Sequence, residues 1–338
     1  MQEKPEYILR VNDLRTYFRV DGQDLPAVDG VTFDIKRNST LALVGESGCG
    51  KSVTAYSLLR LIQKPGRIAG GRIEFFGADS KTIDVTALNE KSEQLYTLRG
   101  GLIGMIFQEP MSALSPVHTI GSQICETILL HKETDKEQTK QKALEMLKKV
   151  GIPGPERIFQ QYPHEISGGM RQRAVIAMAL ASEPQLLIAD EPTTALDVTI
   201  QAQILNLIKK LQQQMGLSVL LITHDIGVVA QIAQEVAIMY LGRIVEHGPI
   251  HELIKSPLHP YTMALLQSLP SLSHRKQRLK YIEGSVPSLY EVPAGCPFHP
   301  RCSYAESGKC DRGRPPELRE LTPQHEVACV KAEEIKRT

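Results

Sequence analysis

A glycine-rich segment near residue 45 has the residue types that bind phosphate. Residues 45–52 read GESGCGKS, which matches the pattern G-x-x-x-x-G-K-[ST]. Glycines let the backbone turn so that its amide hydrogens face an anion, and the positive end of a following helix adds to the attraction. Lys51 would neutralise the terminal phosphates of a nucleotide, and the Ser52 hydroxyl would be a ligand of Mg²⁺. The segment therefore predicts a nucleotide site.

Two acidic residues follow an apolar run later in the chain. Residues 186–191 read LLIADE, the pattern of a buried strand that ends in carboxylates. Asp190 suits a water-mediated ligand of Mg²⁺, and Glu191 suits a general base that polarises an attacking water. Apolar strands that end in acids are common, so this prediction gains its weight from the phosphate-binding segment.

A second small anion site is predicted at residues 167–173, which read SGGMRQR. A serine and two glycines at a helix start offer backbone amides to an anion. The alternative is an ordinary helix N-terminus in which Arg171 and Arg173 are solvated charges. Gln108 in FQEP and His224 after SVLLIT are unremarkable when each is taken alone.

The surrounding pattern predicts an α/β protein, because short apolar runs alternate with longer helical ones up to about residue 255. Gly216 closes a helix that begins after residue 196 and has its apolar residues at helical spacing. Strands are predicted at 41–44, 185–189 and 218–222, and a hairpin at 235–240 and 243–246 around Gly242.

Two domains are predicted. Residues 1–255 form an α/β nucleotide-binding domain of the P-loop NTPase class, with an inserted helical subdomain at about 110–182. Residues 256–338 form a loop-rich C-terminal extension in which prolines recur and four cysteines cluster.

Composition limits the classes of function. The chain has 338 residues and a net charge of +1, so its overall charge gives no reason to expect a nucleic-acid partner. No apolar run approaches the ~18 residues that span a bilayer, and the N-terminus lacks the apolar core of a signal peptide. We therefore expect a cytoplasmic protein whose membrane association comes through partners.

Four of the six cysteines lie in the last 43 residues, with the spacing C-x5-C-x7-C-x18-C. In a cytoplasmic chain this clustering favours a metal or iron–sulfur site over disulfides. Four thiolates suit a [4Fe–4S] cluster, whereas most zinc sites have paired C-x2-C spacing. A zinc site and free thiols stay as alternatives. The four residues are Cys296, Cys302, Cys310 and Cys329.

The order of the motifs is more specific than any one of them. The phosphate segment, Gln108, SGGMRQR, LLIADE, TALD at 194–197 and TH at 223–224 follow one another in the chain. This order resembles that of the ATP-binding cassette (ABC) family over about residues 7–255. SGGMRQR directly ahead of LLIADE is the most specific mark, because P-loop kinases and GTPases lack it.

The resemblance implies an ATPase that works as a head-to-tail dimer, with Mg-ATP between the subunits. It implies catalytic or switch roles for Glu191, His224 and Gln108, and Mg²⁺ ligation by Ser52, Gln108 and Asp190. Tyr17 is an alternative to Phe18 for stacking on adenine. The nucleotide-binding residues that it implies are Phe18, Gly45, Glu46, Ser47, Gly48, Cys49, Gly50, Lys51, Ser52, Val53, Ser167, Gly168, Gly169 and Asp197.

The C-terminal region adds LHPYT at 258–262, GSVPSL at 284–289 and PAGCPFHPRC at 293–302. These segments resemble the oligopeptide and dipeptide permease branch of the family. That branch implies two transmembrane permease subunits, a second homologous ATPase, an extracytoplasmic peptide-binding protein and a [4Fe–4S] cluster. It places the chain at the cytoplasmic face of the membrane.

Three other functions stay open at this point. They are the ATPase of a nickel or other small-solute importer, a soluble ABC protein outside transport, and a P-loop kinase for small molecules. SGGMRQR argues against the kinase.

Overall fold

The computed structural model describes residues 6–78, 81–109, 113–194, 197–268 and 282–336. Ala195 and Leu196 of the TALD segment lie outside the described residues. So do residues 110–112 of the predicted helical subdomain and 269–281 and 337–338 of the predicted extension.

The strands of the described residues, in chain order, are β1 Tyr7–Val20, β2 Gln23–Lys36, β3 Thr40–Val44, β4 Gly66–Phe76, β5 Thr82–Asp84, β6 Ile103–Ile106, β7 Leu186–Asp190, β8 Ser218–Thr223, β9 Glu235–Tyr240, β10 Arg243–Pro249, β11 Arg319–Thr322 and β12 His325–Val327.

The α-helices are α1 Lys51–Leu58, α2 Glu93–Leu98, α3 Ile120–His131, α4 Lys136–Lys149, α5 Pro155–Gln160, α6 Gly168–Leu180, α7 Val198–Met215, α8 Ile226–Ile232, α9 Ile250–Lys255, α10 Pro260–Gln267 and α11 Ala332–Lys336. Short 3₁₀ helices lie at Val85–Ala87, Pro163–Glu165 and His299–Arg301.

The chain divides into two compact units. The first unit comprises the described residues within 1–9, 34–40 and 74–222, and the second comprises those within 10–33, 41–73 and 223–338. Each unit is built from segments that are distant in sequence, because strands from separate parts of the chain pair with one another.

Parallel strands form the centre of the first unit. β6 pairs with β7 and β7 pairs with β8, both in parallel. Every residue of β7 is buried, as expected for a parallel strand that is covered on both faces. Helices α3, α4, α5 and α6 pack on one another in the same unit.

The second unit contains a mixed set of strands. β3 pairs in parallel with β9, whereas β10 is antiparallel to both β9 and β12, and β12 is antiparallel to β11. β2, β1 and β4 are neighbours in a further sheet, in that order. The last strands of the chain therefore continue from the hairpin β9–β10.

A buried acid fixes the C-terminal segment to β10. Glu246 has no exposed surface and accepts hydrogen bonds from the N–H groups of Leu258 and His259. Its Oε1 also lies 2.8 Å from Nε2 of the buried His325. Three parts of the second unit thus meet at one carboxylate, and removal of a partner would leave it buried without compensation.

Most of the predicted elements are confirmed. The hairpin around Gly242 is present as β9 and β10, and α7 ends at Gly216, which adopts a left-handed conformation with φ of +62°. The strand predicted at 185–189 begins one residue later. Within the C-terminal region the short strands β11 and β12 pair with each other, and the sequence did not predict them.

Candidate functional site

The phosphate-binding loop joins β3 to α1 in the second unit. A Cβ on Gly45 would clash with the backbone oxygen of Met239, and one on Gly50 would clash with the backbone oxygen of Ala27. Gly50 also has φ of +101°, a conformation that other residues rarely adopt. These two glycines are needed because neighbouring backbone lies against the loop.

Lys51 holds the centre of the loop. Its side chain is buried, and Nζ donates to the backbone oxygens of Gly45 at 2.8 Å and Glu46 at 3.0 Å. Ser52 and Val53 follow in the first turn of α1 and are half-buried. The arrangement brings an ammonium group, a hydroxyl and a helix N-terminus to one place, which suits a polyphosphate.

The tip of the loop is open to solvent, since Ser47 and Gly48 are exposed. A Cβ on Gly48 would meet nothing within 4 Å. Cys49 is buried beside them, and burial raises the pKa of its thiol. The loop is therefore packed at its base and accessible at its tip.

The two aromatic candidates for adenine stacking lie on β1. The hydroxyl of Tyr17 donates to Asp29 at 2.9 Å, and Asp29 also pairs with Arg243. Phe18 is half-buried, and a Cβ on Gly66 would lie 2.7 Å from its ring. Tyr17 is anchored through its hydroxyl, and both rings stay candidates for stacking on adenine.

The acidic candidates lie at the end of β7 in the first unit. Asp190 is fully buried, and the backbone N–H of Glu191 donates to the oxygen of Ile222 at 2.9 Å. Glu191 has φ of +46°, and its Oε2 accepts a hydrogen bond from the Thr194 hydroxyl at 2.9 Å. The left-handed backbone of Glu191 is therefore held by its hydrogen bond to β8.

Gln108 reaches the same edge of the first unit as the acids. Ile106 is opposite Ala189 in the parallel pair β6–β7, and Gln108 follows β6 as Asp190 ends β7. Because the carboxyl ends of parallel strands meet at one edge, these side chains share an edge. Gln108 is exposed there.

The second anion site is the turn that precedes α6. Ser167 is exposed, and its hydroxyl oxygen accepts a hydrogen bond from the Met170 N–H at 3.4 Å. A Cβ on Gly168 would meet nothing within 4 Å, whereas one on Gly169 would lie 3.6 Å from Ile200. Arg171 donates to the backbone oxygen of Ile166. Both glycines therefore stand in open or loosely filled space.

The arginines of this segment are not simple solvated charges. Arg171 donates from Nε to Ile166 at 3.0 Å, and Arg173 donates from Nη1 to the backbone oxygen of Val150 at 2.6 Å. They attach α6 to the loops around it.

The other two predicted residues are exposed in loops. Asp197 is the N-cap of α7 and accepts a hydrogen bond from the Ile200 N–H at 2.9 Å. His224 lies between β8 and α8, whose N-cap is Asp225.

Each unit holds one part of the predicted site. The second unit contains Phe18, the loop from Gly45 to Ser52 with Val53, and His224. The first unit contains Gln108, Ser167, Gly168, Gly169, Asp190, Glu191 and Asp197.

One contact was missed by sequence reasoning. Gln172 is buried in α6 and donates from Nε2 to the backbone oxygen of Pro192. It links the helix of the second anion site to the loop that follows the acids. No sequence signal identified it, since a glutamine within a helix is ordinary.

The iron–sulfur prediction is wrong. Among the described residues, no group of three or more His, Cys, Asp or Glu side chains is arranged to hold a metal ion. The predicted ligands Cys296, Cys302, Cys310 and Cys329 are free cysteines that line a common pocket. Closeness in sequence brought them to one pocket without the geometry of a cluster site.

Burial explains the state of these thiols. It raises the pKa of Cys296 to about 12 and that of Cys329 to about 11, and it also raises the pKa of Cys302. Burial therefore favours the protonated form of the free thiols of Cys296, Cys302 and Cys329.

Two known protein families match parts of the chain. The family described as ABC transporter matches residues 28–194, and the family described as oligopeptide/dipeptide transporter, C-terminal region, matches residues 245–310. A putative peptide import ATP-binding protein of Brucella melitensis is 50% identical over 335 residues, which are 97% of this chain and 98% of the relative. The chain belongs to the ABC transporter ATP-binding subunits, in the oligopeptide/dipeptide branch.

Other ATP-binding proteins of peptide transporters are similar to this chain over most of its length. The oligopeptide transport ATP-binding proteins AppD and OppD of Bacillus subtilis are both 48% identical. The matches cover 91% of this chain and 92% of AppD, and 95% of this chain and 87% of OppD.

Solved ABC structures share the fold. A dimeric bacterial ABC transporter cassette aligns with a TM-score of 0.62 and 27% identity, over 72% of this chain and 98% of that one. cbiO1 of Clostridium perfringens, part of the ABC transporter complex cbiONQ, aligns with a TM-score of 0.62 and 28% identity, over 74% and 91%. Across the described parts of the chain, no helix has both the length and the apolar character to cross a membrane.

Proposed function

We propose that this ABC subunit hydrolyses ATP to drive an importer for oligopeptides or dipeptides. The observation that carries the proposal is the nearly full-length similarity to peptide import ATP-binding proteins, which includes the C-terminal region typical of that branch. The packed phosphate loop with its buried Lys51 supports the nucleotide part of the proposal.

The phosphate loop binds the triphosphate. Lys51 turns from the loop oxygens of Gly45 and Glu46 towards the β- and γ-phosphates, and the N–H groups at the start of α1 face the anion. Phe18 stacks on the adenine ring. The packing of Gly45 and Gly50 supports this step, because it fixes the base of the loop before nucleotide arrives.

Mg²⁺, when bound with the nucleotide, would neutralise charge on the phosphates. Ser52 would hold it through its hydroxyl and Gln108 through its amide oxygen, and Asp190 would act through water. These are hard oxygen ligands of the kind that Mg²⁺ takes.

Glu191 acts as the general base. It polarises a water molecule that attacks the γ-phosphorus, while the bond from that phosphorus to the bridging oxygen of ADP breaks. His224 contacts the γ-phosphate and responds to its release. Thr194 and Ile222 hold Glu191 in place, which supports this role.

A second ATPase subunit completes the site. Ser167, Gly168 and Gly169 contact the γ-phosphate bound by the partner, and Asp197 crosses the interface. The exposure of Ser167 and Asp197 and the open space beside Gly168 support the proposal, because an anion site on an open turn is available to another chain. A homologous rather than identical second subunit is favoured by the resemblance to peptide permeases.

The subunit acts at the cytoplasmic face of the membrane. Two permease subunits bind it there, and an extracytoplasmic peptide-binding protein delivers the cargo. Hydrolysis then opens the ATPase dimer, and this opening is transmitted to the permeases.

Reconstitution tests the proposal. The chain is assembled with permeases, a second ATPase and the binding protein encoded beside it, and ATP turnover is measured in proteoliposomes. We expect oligopeptide- or dipeptide-loaded binding protein to stimulate turnover and labelled peptide to enter the vesicles. Stimulation by nickel or another small solute, with no response to any peptide, would contradict the peptide proposal.

A further inference from the structure

The phosphate loop carries a negative side chain that the C-terminal region neutralises. Glu46 follows the first glycine of the loop, and its carboxylate is paired with the guanidinium of Arg301. Nη1 lies 2.7 Å from Oε2, and Nη2 lies 3.0 Å from Oε1. Both residues belong to the second unit. The contact is bidentate, which is the strongest geometry for such a pair.

The guanidinium has little freedom to move away. The Arg301 side chain is only 4% exposed, against 27% for Glu46. Its Nε donates to the backbone oxygen of Glu283 at 3.1 Å. The group also lies 5.8 Å from the ring centre of Tyr240 and 5.9 Å from that of Phe298, within the range of a cation–π interaction. The hydrogen bond to Glu46 raises the pKa of Arg301, so the charge is permanent.

A second contact joins the same two regions. The Glu46 N–H donates to the hydroxyl oxygen of Tyr261 at 2.9 Å, and Tyr261 is fully buried. The rings of Tyr240, Tyr261 and Phe298 pack with centroids 4.8 to 5.2 Å apart. Main chain and side chain of Glu46 are thus both held by residues from beyond the phosphate loop.

The charge of Glu46 matters because the loop binds an anion. An unpaired carboxylate there would repel a triphosphate in a site that partly excludes water. A paired carboxylate presents little net charge, and Lys51 is then the dominant charge of the loop. The pair therefore affects ATP binding itself as well as the attachment of the C-terminal region.

We propose that Arg301 is a positioning residue of the nucleotide site, which neutralises and orients Glu46 so that the phosphate loop accepts ATP. This inference rests on the proposed ATPase function. It makes the C-terminal region a structural part of the ATP site, and its loss or displacement would weaken nucleotide binding.

Equilibrium binding of Mg-ATP to the purified full-length chain tests the inference. We expect Arg301→Gln to weaken binding about tenfold, because it leaves the Glu46 charge uncompensated. The double variant Arg301→Gln with Glu46→Gln removes both charges, and we expect it to recover most of the affinity that the single variant loses. Affinity is measured well below the thermal unfolding midpoint of each variant, so that a change in global stability alone does not alter it.

The matched control is Arg319→Gln. Arg319 pairs with Glu333 in the same region, but these side chains are 49% and 57% exposed, so the pair contributes little. We expect unchanged ATP affinity in this variant. If Arg301→Gln does not fold, Arg301→Lys decides, since it keeps the positive charge and should bind ATP within about threefold of wild type.

Two outcomes overturn the inference. One is wild-type affinity in Arg301→Gln, and the other is equal weakening in the single and double variants. Neither affects the proposed ATPase function, which fails if the wild-type chain, assembled with its partners, shows no ATP turnover.

Discussion

The two anion sites of this chain differ in how far each is completed within its own unit. The phosphate loop is packed against backbone from Ala27 and Met239, and its Lys51 and Glu46 both have partners. Ser167 of the turn before α6 is exposed, and its hydroxyl caps its own helix. A packed loop such as the phosphate loop can bind its ligand without a partner. An exposed turn is suited to contact a ligand that is bound by another molecule. The difference supports division of the ATP site between two subunits.

The largest expected effect is on ATP hydrolysis, to which both anion sites are proposed to contribute. Replacement Glu191→Gln removes the proposed general base, so we expect turnover to fall about a thousandfold while ATP affinity is kept. Steady-state ATPase assays and equilibrium binding measure the two quantities.

Glu183→Gln is the control for this variant. Glu183 is an exposed glutamate that pairs with Lys132, and we expect normal turnover when it is replaced. Undiminished hydrolysis in Glu191→Gln would remove this residue as the base.

The next largest effect is on ATP affinity, and we expect it at the phosphate loop. Lys51→Ala deletes the ammonium that lies against the loop oxygens, and we expect ATP affinity to fall about a hundredfold. Isothermal titration calorimetry of the isolated chain measures it. Lys309→Ala, which removes an exposed lysine in a pair with Glu306, should bind normally. Equal affinity in the two variants would contradict the role of Lys51.

A smaller effect on turnover is expected at the turn that precedes α6. Ser167→Arg adds bulk to an exposed turn, so ATP affinity of the isolated chain should not change, whereas turnover of the assembled transporter should fall at least tenfold. Loss of the N-cap costs about 1 kcal/mol, which the fold tolerates. If turnover in the assembly matches wild type, the turn does not contact nucleotide across the interface.

The smallest effect is a pH dependence of folding stability that arises at the buried His259. Burial lowers the pKa of His259 to about 3, below its value of about 6.5 in the unfolded chain. The folded state therefore keeps this histidine neutral, and stability that is complete above pH 6.5 is lost as the pH falls towards 3. The expected loss is about 1.4 kcal/mol per pH unit.

Thermal unfolding between pH 7 and pH 5.5 measures this loss. The slope for wild type should exceed that of His259→Gln, because the variant has no group to protonate there. His251→Gln is the control, since His251 is exposed and should leave the slope unchanged. Identical slopes in wild type and His259→Gln would refute the assignment.

The nucleotide-binding elements could be predicted from sequence because they depend on local patterns. The helical spacing that ends at Gly216 and the hairpin at Gly242 satisfy their hydrogen bonds within a short stretch of chain. The run before Gly45 pairs with the distant β9, but its continuous apolar character marks it as a buried strand. The two short strands of the C-terminal region were not predicted. β11 and β12 have four and three residues, too few for a pattern, and form because β10 offers an edge.

The cysteine cluster shows the same limit for chemistry. Spacing placed four thiols in one region, and the structure does bring them to one pocket. The prediction of a metal centre nevertheless failed, because ligation needs side chains aimed at a common point, and sequence spacing does not give directions.

The sequence alone determined the class of chemistry. The phosphate loop, the acids at the end of β7 and the turn at Ser167 are short motifs whose residue types carry their function. Only the tertiary structure decided that Glu46 is neutralised by Arg301, which stands 255 positions away. A single chain records residue types and local order, but a contact between distant residues exists only after the backbone has folded and excluded water around it.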